Sequence, residues 1–169
     1  MKQLKTLLIA AALFMGANQT MSAQAKVAHI DVQELMTTMP EMKTAQAQVK
    51  KISETYDNEY KTMVTEYQNK MKKYESEATT VTEAVNETRA KEMQDMGSRI
   101  QQYRDTAQKE LQQKEMDLVK PIMDKARTAI QKVAKAKGYQ YVLDATSGSG
   151  VIVADGPNLL ADVKKELGF

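Results

Sequence analysis

The sequence predicts a mainly α-helical protein with a small β body. A long antiparallel helical hairpin arm projects from a short-stranded sheet that assembles between protomers. Three observations lead there. From Glu41 to Ala78 the chain contains neither Gly nor Pro. Its apolar positions there, Met42, Ala45, Val49, Ile52, Tyr56, Tyr60, Met63, Tyr67, Met71, Tyr74 and Ala78, recur every three or four residues, the mark of one helical stripe. A second stripe follows a β-branched interruption, and strand-like segments occur only near the two ends of the chain.

The chain opens on a secretory signal over residues 1–25. Lys2 and Lys5 form a positive start, Leu7 to Ala17 is an apolar run, and small residues follow, with cleavage expected near Ala23 or Ala25. A run of eleven residues covers roughly 16 Å of helix, about half a hydrocarbon core, so a membrane anchor is the weaker reading. Lys26 to Asp31 alternates as a short strand, and Asp31 is placed to cap a brief helix over Val32 to Thr38. Pro40 then starts the long helix, with Glu41 in its first turn, where negative charge suits the helix dipole. From Val49 to Ala78 eight steps cover 29 residues, 3.63 per step, which predicts a nearly straight helix without strong left-handed supercoiling.

Thr79-Thr80-Val81-Thr82 stays poorly in a helix, and Thr80 with Glu83 matches a capping box, so the arm turns near 79–82. The returning stripe runs from Val85 through Met93, Met96, Ile100, Tyr103, Leu111 and Ile122 to Ala136, and Gly138 ends it. Folding about residue 80 or 81 sets Pro121 opposite Pro40, with a kink expected at Pro121. Tyr139–Asp144 and Val151–Ala154 read as strands joined by Ala145–Gly150, and Asn158 is placed to cap a terminal helix over Leu159 to Leu167. The domain boundaries are therefore a signal at 1–25, an oligomerisation body from 26–40 and 139–169, and an arm at 41–138. Three short strands and one helix bury too little surface to stand alone, and self-association through the sheet is the remedy.

Composition narrows the chemistry. The chain has no Cys, no Trp and one His, which removes cysteine nucleophiles, Cys-ligated metals and most His-based catalysis. The formal charge of +2 belongs to Lys2 and Lys5, so cleavage leaves 22 basic and 22 acidic residues, unlike a nucleic-acid binder. His29 and Asp31 share a strand face without a nucleophile or cofactor motif beside them. Ser147–Gly150 lacks the Lys and helix of a phosphate loop, and Asp57/Glu59 and Asp117/Asp124 lack metal-ligand spacing. No active site and no cofactor are expected. Lys70, Lys72, Lys73, Arg89 and Lys91 near the tip are balanced by acids close by and read as solvated surface.

The Met and Tyr residues of the arm carry more weight. Adaptable Met and amphipathic Tyr side chains suit contact with varied apolar partners. Tyr56, Tyr60, Met63, Tyr67, Met71, Met93, Met96 and Tyr103 are therefore the candidate contact residues. Zipping the two helices together is the bland role for the same set. Val27, Ile30, Tyr141, Leu143, Val151 and Val153 are the candidate oligomerisation residues.

The whole mature pattern resembles the Skp (OmpH-like) family of periplasmic chaperones. Carrying the resemblance are Lys26-Val-Ala-His-Ile-Asp-Val-Gln-Glu-Leu35 before Met39-Pro40, the charged hairpin, and Ala134-Lys-Ala-Lys-Gly-Tyr-Gln-Tyr-Val-Leu-Asp-Ala145. Val151–Ala154 and a terminal helix containing Asp162 complete it. The resemblance implies a periplasmic homotrimer whose arms enclose a cavity and hold unfolded outer-membrane proteins without ATP. It also implies a weak contact with the membrane surface or lipopolysaccharide, although members are strongly basic and this mature chain is neutral. A structural or adaptor coiled coil of the cell envelope is the alternative.

Overall fold

The computed structural model describes residues 25–169, so the expected signal lies, but for its last residue, outside the described residues. The elements run β1 (Val27–Ile30), α1 (Val32–Thr38), α2 (Pro40–Glu77), α3 (Glu83–Ala136), β2 (Tyr141–Asp144) and α4 (Leu160–Leu167). At 1.5 Å per residue, α2 is about 57 Å long and α3 about 81 Å. They form an antiparallel hairpin rising from a base made by everything else.

Each start and stop has a local cause. Asp31 accepts a hydrogen bond from the Glu34 N–H at 2.7 Å and caps α1 as expected. Pro40 opens α2, where its missing N–H has no intrahelical partner to lose. The tip differs from the expected capping box. Thr82 is the N-cap of α3 and its side chain makes no capping bond, while the Thr80 hydroxyl donates backwards to the Glu77 carbonyl at 2.8 Å. Asn86 closes the turn instead, its amide donating to the Ala78 carbonyl at 2.8 Å.

Cross-helix pairs fix the register of the arm. Glu41 pairs with Lys125, Tyr56 with Glu110, Tyr74 with Glu92 and Glu77 with Arg89, all symmetric about position 83. The Lys70–Glu92 and Tyr103–Glu59 contacts are centred two residues earlier. The fold-back therefore sits slightly later than expected, and Glu41 meets a residue one turn beyond Pro121. Pro121 itself lies on an exposed face inside an unbroken α3.

The base holds the whole core. Ile122, Ala126, Ala129 and Val133 present one face of α3 to Ala28, Ile30, Leu35 and Met39, and Leu159 and Val163 close it from α4. Ile30, Leu35, Met39, Leu159 and Val163 are almost fully buried, each such apolar side chain contributing about 1.5–3 kcal/mol. Ion pairs Lys137–Asp162 and Lys132–Glu166 hold α4 against α3, and Lys164–Glu34 holds it to α1.

The sheet has two parallel strands, with Val27 opposite Tyr141 and Ile30 opposite Asp144. On the other side of β1, His29 bridges to Asn158: the His29 N–H donates to the Pro157 carbonyl and the His29 carbonyl accepts from the Leu159 N–H, both at 2.9 Å. The outer edge of β2 is open among the described residues. The expected third strand, Val151–Ala154, is irregular in the protomer, with Ile152 97% and Val153 71% exposed. It has no neighbouring strand in the chain to pair with. Asn158 does support α4, accepting from the Leu160 N–H at 2.8 Å.

Candidate functional site

The eight arm residues singled out from the sequence fall along one seam between α2 and α3, in three open grooves. Tyr56, Tyr60 and Tyr103 line the one nearest the base, about 350 Å³, together with Leu111. Met63 and Met96 face each other in the middle groove of about 250 Å³, beside Lys70 and Ile100. Met71 and Met93 line the groove below the tip, about 700 Å³, with Tyr74 and Arg89. Tyr67 packs on the same seam, its ring edge 3.9 Å from where a Cβ on Gly97 would lie. No side chain from 46 to 121 is fully buried, because a two-helix arm has no third layer to cover it.

The polar ends of some of these residues are committed to holding the helices together. Tyr56 donates to Glu110 at 2.7 Å and Tyr103 to Glu59 at 2.6 Å, and their rings meet edge to face at 6.4 Å. Burial, reinforced by the Glu59 carboxylate, pushes the Tyr103 hydroxyl up to about 12. The hydrogen bond to Glu110 raises Tyr56 as well. Nearer the tip, Glu92 accepts from both Lys70 and Tyr74, which hold its carboxyl below the usual range. The Arg89 guanidinium stacks 4.5 Å from the centre of the Tyr74 ring and binds Glu77 at 2.6 Å. Tyr56 and Tyr103 thus combine the zipper role with exposed ring faces, whereas the Met residues on the seam are free of polar bonds.

Of the candidate oligomerisation residues, Val27, Tyr141, Leu143 and Val153 present exposed apolar surface on the base. Val151 is half-buried. Ile30 is a correction: at 1% exposure it belongs to the protomer's own core, because its β1 position points beneath α1 rather than outward with Val27.

Two features of the base escaped sequence reasoning. The largest groove, about 930 Å³, lies where α1, the root of the arm and the start of β2 meet. Met36, Met42, Met123, Ala126, Ile130 and Val142 supply its apolar lining, with Arg127 and Lys135 as its charged residues. Three remote segments build it, so no local pattern announces it. The second feature is Asp144, whose carboxylate accepts from the Thr146 hydroxyl (2.6 Å), the Thr146 N–H (2.9 Å) and the Val32 N–H (3.3 Å). Burial would raise its pKa, but these donors outweigh it and hold the group below its ordinary value. Asp144 ties the end of β2 to the start of α1. The loop after it is a turn, with the Ser149 hydroxyl donating to the Asp144 carbonyl at 2.6 Å.

Among the described residues, no cluster of His, Asp and Glu is placed to hold a metal, and no helix is long and apolar enough to cross a membrane. His29 is engaged through its backbone in the sheet.

A small α/β base with one long, uncovered helical hairpin defines an arm-bearing binding protein rather than a pocketed enzyme. The chain belongs to the OmpH-like outer membrane protein family, whose sequence pattern it matches over residues 26–167. The fold is similar to that of a candidate outer membrane chaperone (OmpH-like) from Caulobacter crescentus CB15, with a TM-score of 0.77 at 21% identity. The match covers 86% of this chain and 85% of that one. A search of curated proteins returns no match.

Proposed function

We propose that this protein is an ATP-independent periplasmic holdase that binds unfolded outer-membrane proteins between helical arms and prevents their aggregation. The observation that carries the reading is the uncovered seam: the arm's apolar stripe is half-exposed along its whole length while the base buries its own. Residues 41–138 act as the arm and 26–40 with 139–169 as the assembly body, following removal of the signal. Tyr60, Met63, Tyr67, Met71, Met93 and Met96 contact the client, and the ring faces of Tyr56 and Tyr103 extend that surface. Val27, Tyr141, Leu143, Val151 and Val153 contribute to a homo-oligomer, taken as a trimer from the family resemblance. Several arms around one cavity raise the effective concentration of weak apolar contacts, so the client is held without any one tight site. Such binding uses no cofactor and no catalysis.

The test is light scattering by an unfolded outer-membrane barrel diluted from urea, with and without the protein. Suppression at a few-fold excess of oligomer is expected. Unchanged aggregation would remove the holdase reading, and recovery of a single folded partner in a pulldown would favour an adaptor instead.

A further inference from the structure

The base carries both a hole and a matching knob that cannot meet within one chain. The hole is the 930 Å³ groove, apolar in lining, with Arg127 and Lys135 as its charged residues. The knob is Val151-Ile-Val-Ala154, four apolar residues in an irregular stretch, followed directly by Asp155. Ile152 is the most exposed large apolar side chain on the molecule at 97%. No residue of 143–169 lines the groove, because the segment's far end is fixed to the opposite side of β1 by the His29–Asn158 bridge. Arg127, Lys135 and Asp155 take part in none of the ion pairs among the described residues.

We infer that segment 151–155 of one protomer seats in the base groove of the next, with Ile152 inside and Asp155 against Arg127 and Lys135. Four things favour a second copy as the occupant. Sizes agree, since four extended residues span about 13 Å and need no rearrangement of the base. The charges are complementary, one acid on the segment against two bases in the groove. The segment is already extended and unpaired, so little order remains to be imposed on it. The groove also borders β2, whose outer edge is open and whose Tyr141 and Leu143 are exposed. An extended strand laid there gains backbone partners as well as an apolar seat. Because knob and hole are different surfaces, the contact is heterologous and makes a ring only if successive rotations close. This deepens the oligomer part of the proposed function and does not depend on client binding.

The chain has no native cysteine, which makes the contact directly testable by cross-linking the mature protein. In the double variant Ile152→Cys/Gln131→Cys, mild oxidation is expected to give a reducible covalent oligomer with the mass of the native assembly. Each single variant should remain uncross-linked, with circular dichroism unchanged. A single Ile152→Cys variant that dimerises on its own would mean an isologous contact and overturn the inference. So would a double variant that never cross-links, or a Gln131→Cys groove that couples to a cysteine-bearing client instead. As a second arm, Asp155→Lys is expected to raise the dissociation constant about tenfold, with recovery when Arg127→Glu is added. Absence of both effects overturns the proposed charge contact. Protection of an unfolded barrel is read on the same samples: rings without protection support this interface and count against the holdase reading alone.

Discussion

The base and the arm are built from similar residues and reach opposite outcomes. In the base, α3 faces α1, β1 and α4 at once, so Ile122, Ala126, Ala129 and Val133 disappear from solvent. Further along the same helix the same spacing continues through Leu111, Tyr103, Ile100, Met96 and Met93, but only α2 is there to meet it. Burial therefore depends on the number of layers and not on the stripe itself. What holds the arm in register is instead a ladder of polar contacts, from Glu41–Lys125 at its root to Glu77–Arg89 at its tip. Such exposed pairs contribute only about 0–1 kcal/mol each, which suits an element that must stay straight yet leave its apolar surface available.

The comparison is broken most forcefully in the base. Leu35→Ala empties a fully buried position and is expected to cost about 2–5 kcal/mol, read as a lower urea midpoint for the whole protein. Met63→Ala on the arm, measured the same way, should cost well under that, because Met63 is never fully covered. Equal losses at the two sites would erase the distinction. Next in size is Asp31→Ala, which removes the cap of α1 and is expected to cost about 1 kcal/mol.

Gly97 sharpens the comparison from the arm side. It lies inside α3, and a Cβ added there would meet only the Tyr67 ring at an ordinary 3.9 Å. Gly97→Ala should therefore stabilise the arm by about 0.5–1 kcal/mol, seen as slower amide exchange in residues 60–105 with the base unchanged. The smallest effect is a pH dependence. Glu92 has a depressed pKa in the folded arm, so its contribution is present above the ordinary value of 4.5 and is lost as pH falls through the depressed one. Amide exchange around residues 70–92 should quicken on acidification. In Glu92→Gln that quickening should be weaker. The tyrosines act in the opposite direction: Tyr103 supports the fold below its ordinary pKa of 10 and ceases to as pH rises through about 12.

Much of this architecture was legible in the chain. The unbroken stripe from Met42 to Tyr74, Pro40 at a helix start and Asp31 as a cap all act through neighbours within one or two turns, and local spacing carries that information. The exceptions share a physical cause, which is dependence on remote partners. Val151–Ala154 has strand composition but needs an edge that its own chain does not present. Ile30 alternates with polar residues like an interface strand, yet α1 and α4 cover it first. The capping box at Thr80 lost to Asn86 reaching across the tip to Ala78. The base groove and the Asp144 tie join residues more than a hundred positions apart, and no spacing rule connects them. For the arm, the candidate residues were readable as a set. Which hydroxyls bind across the hairpin depended on the register, centred at 81–83 rather than at the turn's expected midpoint.

The central claim is that the uncovered seam of the arm does the binding. Its most direct measurement is aggregation of an unfolded outer-membrane barrel in the presence of a variant carrying Met63→Ser, Met71→Ser, Met93→Ser and Met96→Ser. None of the four is fully buried, so helix content and oligomer mass should match the parent protein. The account predicts that this folded, assembled variant loses most of its protection of the barrel. Protection equal to that of the parent would contradict it.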